Sequence, residues 1–371
     1  MATETLQTIT RLTPLADVLA LVSAQVTPVA PRRLSIGAAA GRVLAADAMA
    51  ATLPEHAIAL QDGWALAADL TLGAGSYAPA LLRDIPARIE AGQAMPAGTD
   101  SVAPFDAIQV TQGRAEAVQP VNPGDGVLPA GADTDAAVPL RRAGERLRLT
   151  DCAALAAAGL ADVAVREPHI IVAPLRNDGI VDAAARLIAV DIARAGGLAQ
   201  VADRGTGLTE ALTAQTADAV IAVGGTGNGR NDDSVHVLAR EGRLALHGMA
   251  LTPGETAAFG FAGARPVLLL PGRLDAALCV WLTVGRPMLR RLAGADEERE
   301  PAETVPLARK ITSTVGLTEL VPVRVQGGQA EPLAGKYLPL SALARSSGWV
   351  LVPAGSEGYS AGSTVQVRPW P

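Results

Sequence analysis

Aromatic side chains are scarce in this sequence: 3% of its 371 residues, as three Phe, three Tyr and four Trp. Its core must therefore be assembled from Ala, Val, Leu and Ile. Cysteine occurs only at Cys152 and Cys279, which excludes a disulfide framework and any paired-cysteine metal site. Both cysteines lie in apolar, helix-like stretches and read as core. Lysine is confined to Lys310 and Lys336, so arginine carries almost all the positive charge. That charge is in deficit: 31 Lys and Arg face 37 Asp and Glu, for a net −6. A broad basic surface for nucleic acid is excluded on that count. No apolar run reaches the ~18 to 20 residues of a membrane span. The first 26 residues carry acids early and lack the basic n-region of a secretory signal. The expectation is a soluble cytoplasmic protein with no nucleic-acid or membrane partner. His56, His169, His236 and His247 show no metal-ligand spacing, and no Ser/His/Asp pattern marks an ordinary hydrolase.

What is present is apolar material in quantity, 49% hydrophobic against 18% charged, which excludes disorder for the bulk of the chain. At about 150 residues per domain the length gives two to three domains. In residues 14–26, Leu15, Val18, Leu19 and Val22 fall at helical spacing behind Pro14. Between about 45 and 140, Gly and Pro punctuate short apolar runs, the pattern of a β-rich module with many turns. Residues 150–162 read as a helix capped by Thr150 or Asp151 and stopped near Gly159.

From residue 168 the pattern changes. HIIVAPL, ADAVIAVGG and RPVLLLPG are continuous apolar runs, as buried parallel strands require. Between and after them, VDAAARLIAVDIARAGG and DAALCVWLTVGRPMLRRLAG read as helices, the second a single long one. Alternating strand and helix predict an α/β domain with a mostly parallel sheet, whose ligand positions lie at strand carboxyl ends. After an acidic hinge, residues 301–371 alternate apolar and polar between turns and predict a small β domain.

One loop stands out chemically. Gly224-Gly225-Thr226-Gly227-Asn228-Gly229 follows a buried strand. Backbone N–H groups in such a loop can form an anion nest for phosphate or an oxyanion. A flexible turn is the plain alternative. Asp232 and Asp233 close the loop and could bind a cation, act as a base, or cap the next helix.

The ordered set of motifs resembles the molybdopterin molybdenumtransferase family, MoeA-like, whose module also occurs in gephyrin. GRVLAADAMAATLP looks like the family's GRVLAEDV segment, LQDGWAL stands where it has MDGYAV, and EAGQAMPAGTDSV resembles TGAPLPEGADAV. NPGDGVLPAGAD, VGGTGNGRND, TPGET and LLLPGRLDAA follow in the family's order, and the last 60 or so residues resemble its C-terminal β domain. The resemblance covers nearly the whole chain. It implies an N-terminal helical and linking subdomain (1–44 and 140–166), a β-rich insert (45–139), an α/β molybdopterin-binding domain (167–295) and a C-terminal β domain (301–371). It implies a homodimer with its site between the α/β domain and the partner's β-rich module. Molybdopterin, adenylated molybdopterin and molybdate are the implied substrates, AMP a product, and Mg²⁺ the assisting cation. A molybdopterin-adenylating protein or a molybdoenzyme would be the partner.

Carried onto this sequence, the family's carboxylates fall at Asp62, Asp178, Asp203 and Asp232. Asp62 and Asp232 are then candidate metal ligands, and with Asp178 candidate catalytic residues; for Asp62 a backbone-bonding DG turn is the plain alternative. Gly224, Gly225, Thr226, Gly227, Gly229, Asp203, Pro271, Gly272 and Thr99 are candidate substrate contacts. Several polar positions depart from the family. Gly227 replaces a Ser, Arg204 the second acid of a pair, and Arg273-Leu274 an Asn-Pro. Thr252 and Glu255 stand where the family places two lysines, and a negative group there repels an oxyanion. Arg230, Arg265 or Arg273 could compensate. Two functions stay open: an enzyme inserting molybdate into adenylated molybdopterin, or a weak or inactive relative that carries molybdopterin or the finished cofactor.

Overall fold

The computed structural model describes residues 7–214, 216–296 and 301–371. Two compact units divide the chain. One is built from the chain up to Ala46, from Ala143–Leu149 and from Asp162 onward; the other from Asp47–Arg142 and Thr150–Ala161. No helix among the described residues is long and apolar enough to cross a membrane.

The first unit opens with helix α1, Leu15–Gln25, which buries Val18 and Val22 one turn apart. A six-stranded sheet follows, formed by β1 (His169–Pro174), β2 (Leu198–Val201), β3 (Ala219–Val223), β4 (Arg243–His247), β5 (Ala258–Ala262) and β6 (Arg265–Leu270). Its strand order is β2-β1-β3-β6-β5-β4. The first four strands in that order are parallel, and β5 and β4 add on antiparallel. Between them run helix α2 (Gly179–Arg194) and helix α3 (Ser234–Glu241).

Successive residues of the central strands enter opposite cores. Ile170, Val172, Ile221, Val223, Leu268 and Leu270 pack with α1 and α2. Ile171, Ala173, Val220, Ala222, Val267 and Leu269 pack with α3 and the short helix Leu208–Thr213. Both faces are covered, which is why these strands are apolar without alternation. In α2, Val181, Ala184, Ala185, Ile188 and Ile192 make the buried stripe. The Asp178 carboxylate accepts from the Ile180 amide at 2.8 Å to cap its start, and Gly196 at φ +82° follows its end.

The single long helix expected over 275–294 runs Leu274–Ala293, with a π turn over Trp281–Gly285 set between its α-helical parts, α4 (Leu274–Val280) and α5 (Arg286–Ala293). Two local causes meet there. Pro287 lacks the N–H that an α-helix requires. The buried Trp281 ring also lies so close to Gly285 that a Cβ there would stand 2.1 Å from Cε3. The Trp281 Nε1–H donates to Asp191 at 2.7 Å, and Asp191 receives two further bonds at 2.8 Å from Arg286.

Strand β7, Thr318–Gln326, centres the C-terminal sheet, pairing with Gln329–Pro332 and Gly348–Val352. It also pairs in parallel with Leu251–Thr252, a strand from the α/β region.

The second unit holds two three-stranded antiparallel sheets. One joins Gly63–Leu66 to Ala87–Ile89 and Ser101–Ala103; the other joins Arg114–Ala117 to Ala80–Leu82 and Ile108–Thr111. The helix after it runs Leu149–Ala157, so Thr150 and Asp151 sit in its first turn and do not cap it as expected. Asp151 is drawn inward toward Arg141, 3.7 Å away. Gly159, at φ +84°, follows the helix as the sequence indicated.

Candidate functional site

Register assembles the site. Pro174 pairs with Val223, and Val223 with Leu270, so β1, β3 and β6 end in one row. The three loops that follow, from Leu175, Gly224 and Pro271, therefore emerge side by side at the carboxyl edge of the sheet. They bound a cleft of about 550 Å³ lined by Arg176, Asp178, Gly225, Thr226, Gly227, Asp232, Pro271, Gly272, Arg273 and Asp275. Tyr337, Leu338 and Leu340 of the C-terminal region complete the wall. Gly224 and Gly272 let two loops close on each other: a Cβ on Gly272 would lie 3.5 Å from the Gly224 Cα.

The glycine-rich loop turns its carbonyls toward the body of the protein. The Gly225 carbonyl accepts from Ser234 Oγ at 2.6 Å and from Gln7 Nε2 at 3.0 Å. The Gly227 carbonyl accepts from Gln7 Nε2 at 2.9 Å, and the Thr226 carbonyl lies 3.2 Å from His247 Nε2. The Thr226 hydroxyl meets the Thr256 hydroxyl at 2.9 Å. Among the described residues the amides of Gly225, Thr226, Gly227 and Asn228 have no acceptor in the chain. Gly229 donates to Asp232 Oδ2 at 3.0 Å and is held in the turn.

Two arginines flank this loop, each with a carboxylate. Arg176 lies 3.4 Å from Asp232, whose side chain is 13% exposed. Arg273 donates to Asp275 at 3.1 and 2.5 Å, and its guanidinium stacks 4.8 Å from the centre of the Tyr337 ring. Asp275 also accepts from the Leu338 amide at 3.1 Å, tying the C-terminal region to the cleft. The Asp275 hydrogen bond holds the Arg273 pKa above its ordinary value despite partial burial, so its charge is permanent at any working pH.

Of the candidate residues, Asp178, Asp232, Gly225, Thr226, Gly227, Pro271 and Gly272 come together in the cleft. Gly224 opens its central loop at φ +102°. Asp203 does not join them: it is exposed in the turn after β2, where its carbonyl accepts from Thr206. Asp62 and Thr99 belong to the other unit. There Asp62 accepts from the Ala91 amide at 2.9 Å, and the Thr99 hydroxyl donates to the Pro96 carbonyl at 2.7 Å. Gly63 is required beside Asp62 because a Cβ would lie 2.2 Å from the Ala103 carbonyl.

Of the three arginines offered as replacements for lysine, Arg273 lines the cleft and Arg230 is exposed in the glycine-rich loop beside it. Arg265 is turned to the carbonyls of Leu212 and Ala214, away from the cleft. Thr252 is buried, and Glu255 folds back on the Gly254 amide at 3.0 Å. Glu255, Asp275 and Glu319 add to burial in pushing the Cys279 thiol up. Gln7 and Tyr337 were not foreseen. Gln7 carries no motif, and Tyr337 is marked in the sequence only as a rare aromatic beside a rare lysine.

Among the described residues no group of three His, Cys, Asp or Glu side chains converges to hold a metal ion. Asp62, Asp178 and Asp232 each already accept a backbone amide. In the cleft, Asp178 and Asp232 could hold a magnesium ion only together with substrate phosphates and water.

Three family models match the chain: the MoeA N-terminal region (domains I and II) over residues 13–159, a "Probable molybdopterin binding domain" over 171–291, and the MoeA C-terminal region (domain IV) over 304–370. A "Putative molybdopterin biosynthesis protein" of Methanocaldococcus jannaschii is 30% identical over 153 residues, 40% of this chain. The matched region spans 36% of that relative's length. Among solved structures, a molybdopterin biosynthesis MoeA protein of Pyrococcus horikoshii superposes with a TM-score of 0.77 at 24% identity, covering 97% of this chain and 99% of the other. A second structure of the MoeA protein from that organism gives 0.75 at 21%, covering 97% and 100%. Both likenesses are in fold, while the three models account for most of the sequence, in order and without overlap. The chain belongs to the MoeA-like, molybdopterin molybdenumtransferase family.

Proposed function

We propose that this protein acts in molybdenum cofactor biosynthesis, taking adenylated molybdopterin in the α/β cleft, inserting molybdate and releasing AMP. Family membership supports the pathway. One observation carries the reading of the site: acceptor-free amides of Gly225–Asn228 at the sheet edge, between Arg176 and Arg273. Amides so arranged suit phosphate oxygens, and both arginines can add charge-assisted bonds. Asp232, a carboxylate of the cleft paired with Arg176, is freed when Arg176 turns to the phosphate. It is then our candidate for orienting water at the phosphoanhydride, with Asp178 beside it. Asp62 and Thr99, a magnesium ion, the homodimer, and a molybdopterin-adenylating protein or molybdoenzyme as partner belong to the same proposal.

The second reading, a molybdopterin carrier with little turnover, is favoured by Thr252 and Glu255 in place of two lysines. Binding is common to both readings and is tested first. Gly225 sits at φ +76° with Ser234 Cβ 3.3 Å from a Cβ position, so Gly225→Ala strains the loop. Equilibrium binding of adenylated molybdopterin should weaken at least tenfold while the far-ultraviolet circular dichroism stays unchanged. Undiminished binding would remove the loop from the site.

A further inference from the structure

The glycine-rich loop is held from beneath by one side chain from far away in the sequence. Gln7 is 3% exposed and uses its whole amide. Its Nε2 donates to the carbonyls of Gly225 and Gly227 at 3.0 and 2.9 Å. Its Oε1 accepts from the amides of Val235 and His236 at 2.7 and 3.2 Å, at the start of α3. Two donors and two lone pairs are thus all satisfied.

The segment carrying Gln7 is itself docked. Thr13 exchanges hydrogen bonds with Gly248 and Ala250 at 3.0 and 2.7 Å. Ile9 and Arg11 lie so close to Gly248 that a Cβ there would stand 2.6 and 2.8 Å from them. Gln7 is therefore delivered to the loop by a fixed arm.

Peptide geometry gives this contact a consequence for ligands. In a planar trans peptide the C=O of one residue points opposite to the N–H of the next. With the Gly225 carbonyl held on Gln7, the Thr226 N–H points away from Gln7. With the Gly227 carbonyl held likewise, so does the Asn228 N–H. His247 on the Thr226 carbonyl does the same for the Gly227 N–H. Those are three of the four amides that have no acceptor in the chain.

We propose that Gln7 is a positioning residue, whose amide fixes the Gly225–Asn228 loop with its N–H groups presented to a phosphate or other tetrahedral oxyanion in the cleft. The inference rests on the reading of that loop as the phosphate site. Gln7 touches no ligand; it holds the loop in the binding form before the ligand arrives, so its loss is felt as affinity.

The test uses full-length protein and pyrophosphate as the probe, with affinity by calorimetry and stability by thermal melting measured separately. Gln7→Met keeps the length and removes every bond; Gln7→Glu keeps the acceptor but sets a carboxylate against two carbonyls. Pyrophosphate binding should weaken about tenfold or more in Gln7→Met, and further in Gln7→Glu. The Gln7→Glu defect relative to wild type should shrink as the pH falls from 7.5 to 5.5, because a protonated carboxyl regains one donor. Lower melting temperatures with unchanged affinity would overturn the inference and leave Gln7 a structural residue. If Gln7→Met does not fold, Gln7→Glu decides alone, and an affinity defect that does not shrink in acid overturns it. Failure of the wild type to bind pyrophosphate would instead overturn the reading of the loop itself.

Discussion

Arg273 shows how a single residue changes the chemistry of an inherited loop. It stands where the resemblance expects an amide side chain, and brings a permanent charge to the cleft, held by Asp275 and stacked on Tyr337. Its side chain is 57% exposed and so available to a ligand, whereas its partner Asp275 is 3% exposed and relies on it for charge compensation. Arg273→Ala should weaken adenylated molybdopterin about tenfold, a loss of roughly 1.4 kcal/mol, and should also lower the melting temperature, because it leaves the buried Asp275 carboxylate without its cation. A variant that binds normally would move the missing lysines' role elsewhere. His247 supplies a second prediction at this scale. Burial holds its pKa below the ordinary value, against the opposing pull of the Thr226 carbonyl. Below about pH 6.5 the unfolded chain takes up a proton that the folded chain resists, so stability falls as acid is added. His247→Gln can still donate to Thr226 and cannot titrate. Its stability between pH 7.5 and 5.5 should fall less steeply than that of wild type; superimposable curves would contradict the assignment.

Among the elements, the parallel strands were the most legible part of the sequence. Their apolar runs lie in β1, β3 and β6 because both faces of the sheet are covered, and that demand is written in every residue. The π turn was missed although Gly285 and Pro287 stand in the sequence, because apolar periodicity does not show the Trp281 ring crossing Gly285, nor its bond to Asp191 ninety residues away. Gly285→Ala should therefore destabilise by roughly 1–3 kcal/mol, the usual cost of overpacking. Gly37→Ala, with open space around its Cβ and no left-handed φ, should be close to neutral. Denaturant melts of the two variants compare them directly, and equal stabilities would refute the packing account of the turn. The helix at Leu149–Ala157 teaches the same lesson in reverse. Thr150 and Asp151 look like caps locally, but Arg141 draws Asp151 inward.

For the molecule as a whole, order along the chain was enough to identify the family, since its motifs succeed one another from the N-terminal region to the last strand. The site was legible in part. Glycines and prolines at the ends of apolar strands announce loops at the carboxyl edge, and the register brings those loops together. Gln7 and Tyr337 reach the same place from distant stretches, and their roles follow from tertiary contact alone. The changed loops leave a family member whose glycine-rich loop still opens on a cleft at the sheet edge, now flanked by Arg176 and Arg273. On the proposed reading this rearranged cleft still turns over. It is tested by mixing the purified protein with adenylated molybdopterin, molybdate and magnesium, and following AMP release and active cofactor together. Both should appear, and both should fall in Asp232→Ala and Gly225→Ala. Tight binding of the adenylated pterin with no AMP released would contradict it and leave a carrier on a transferase scaffold.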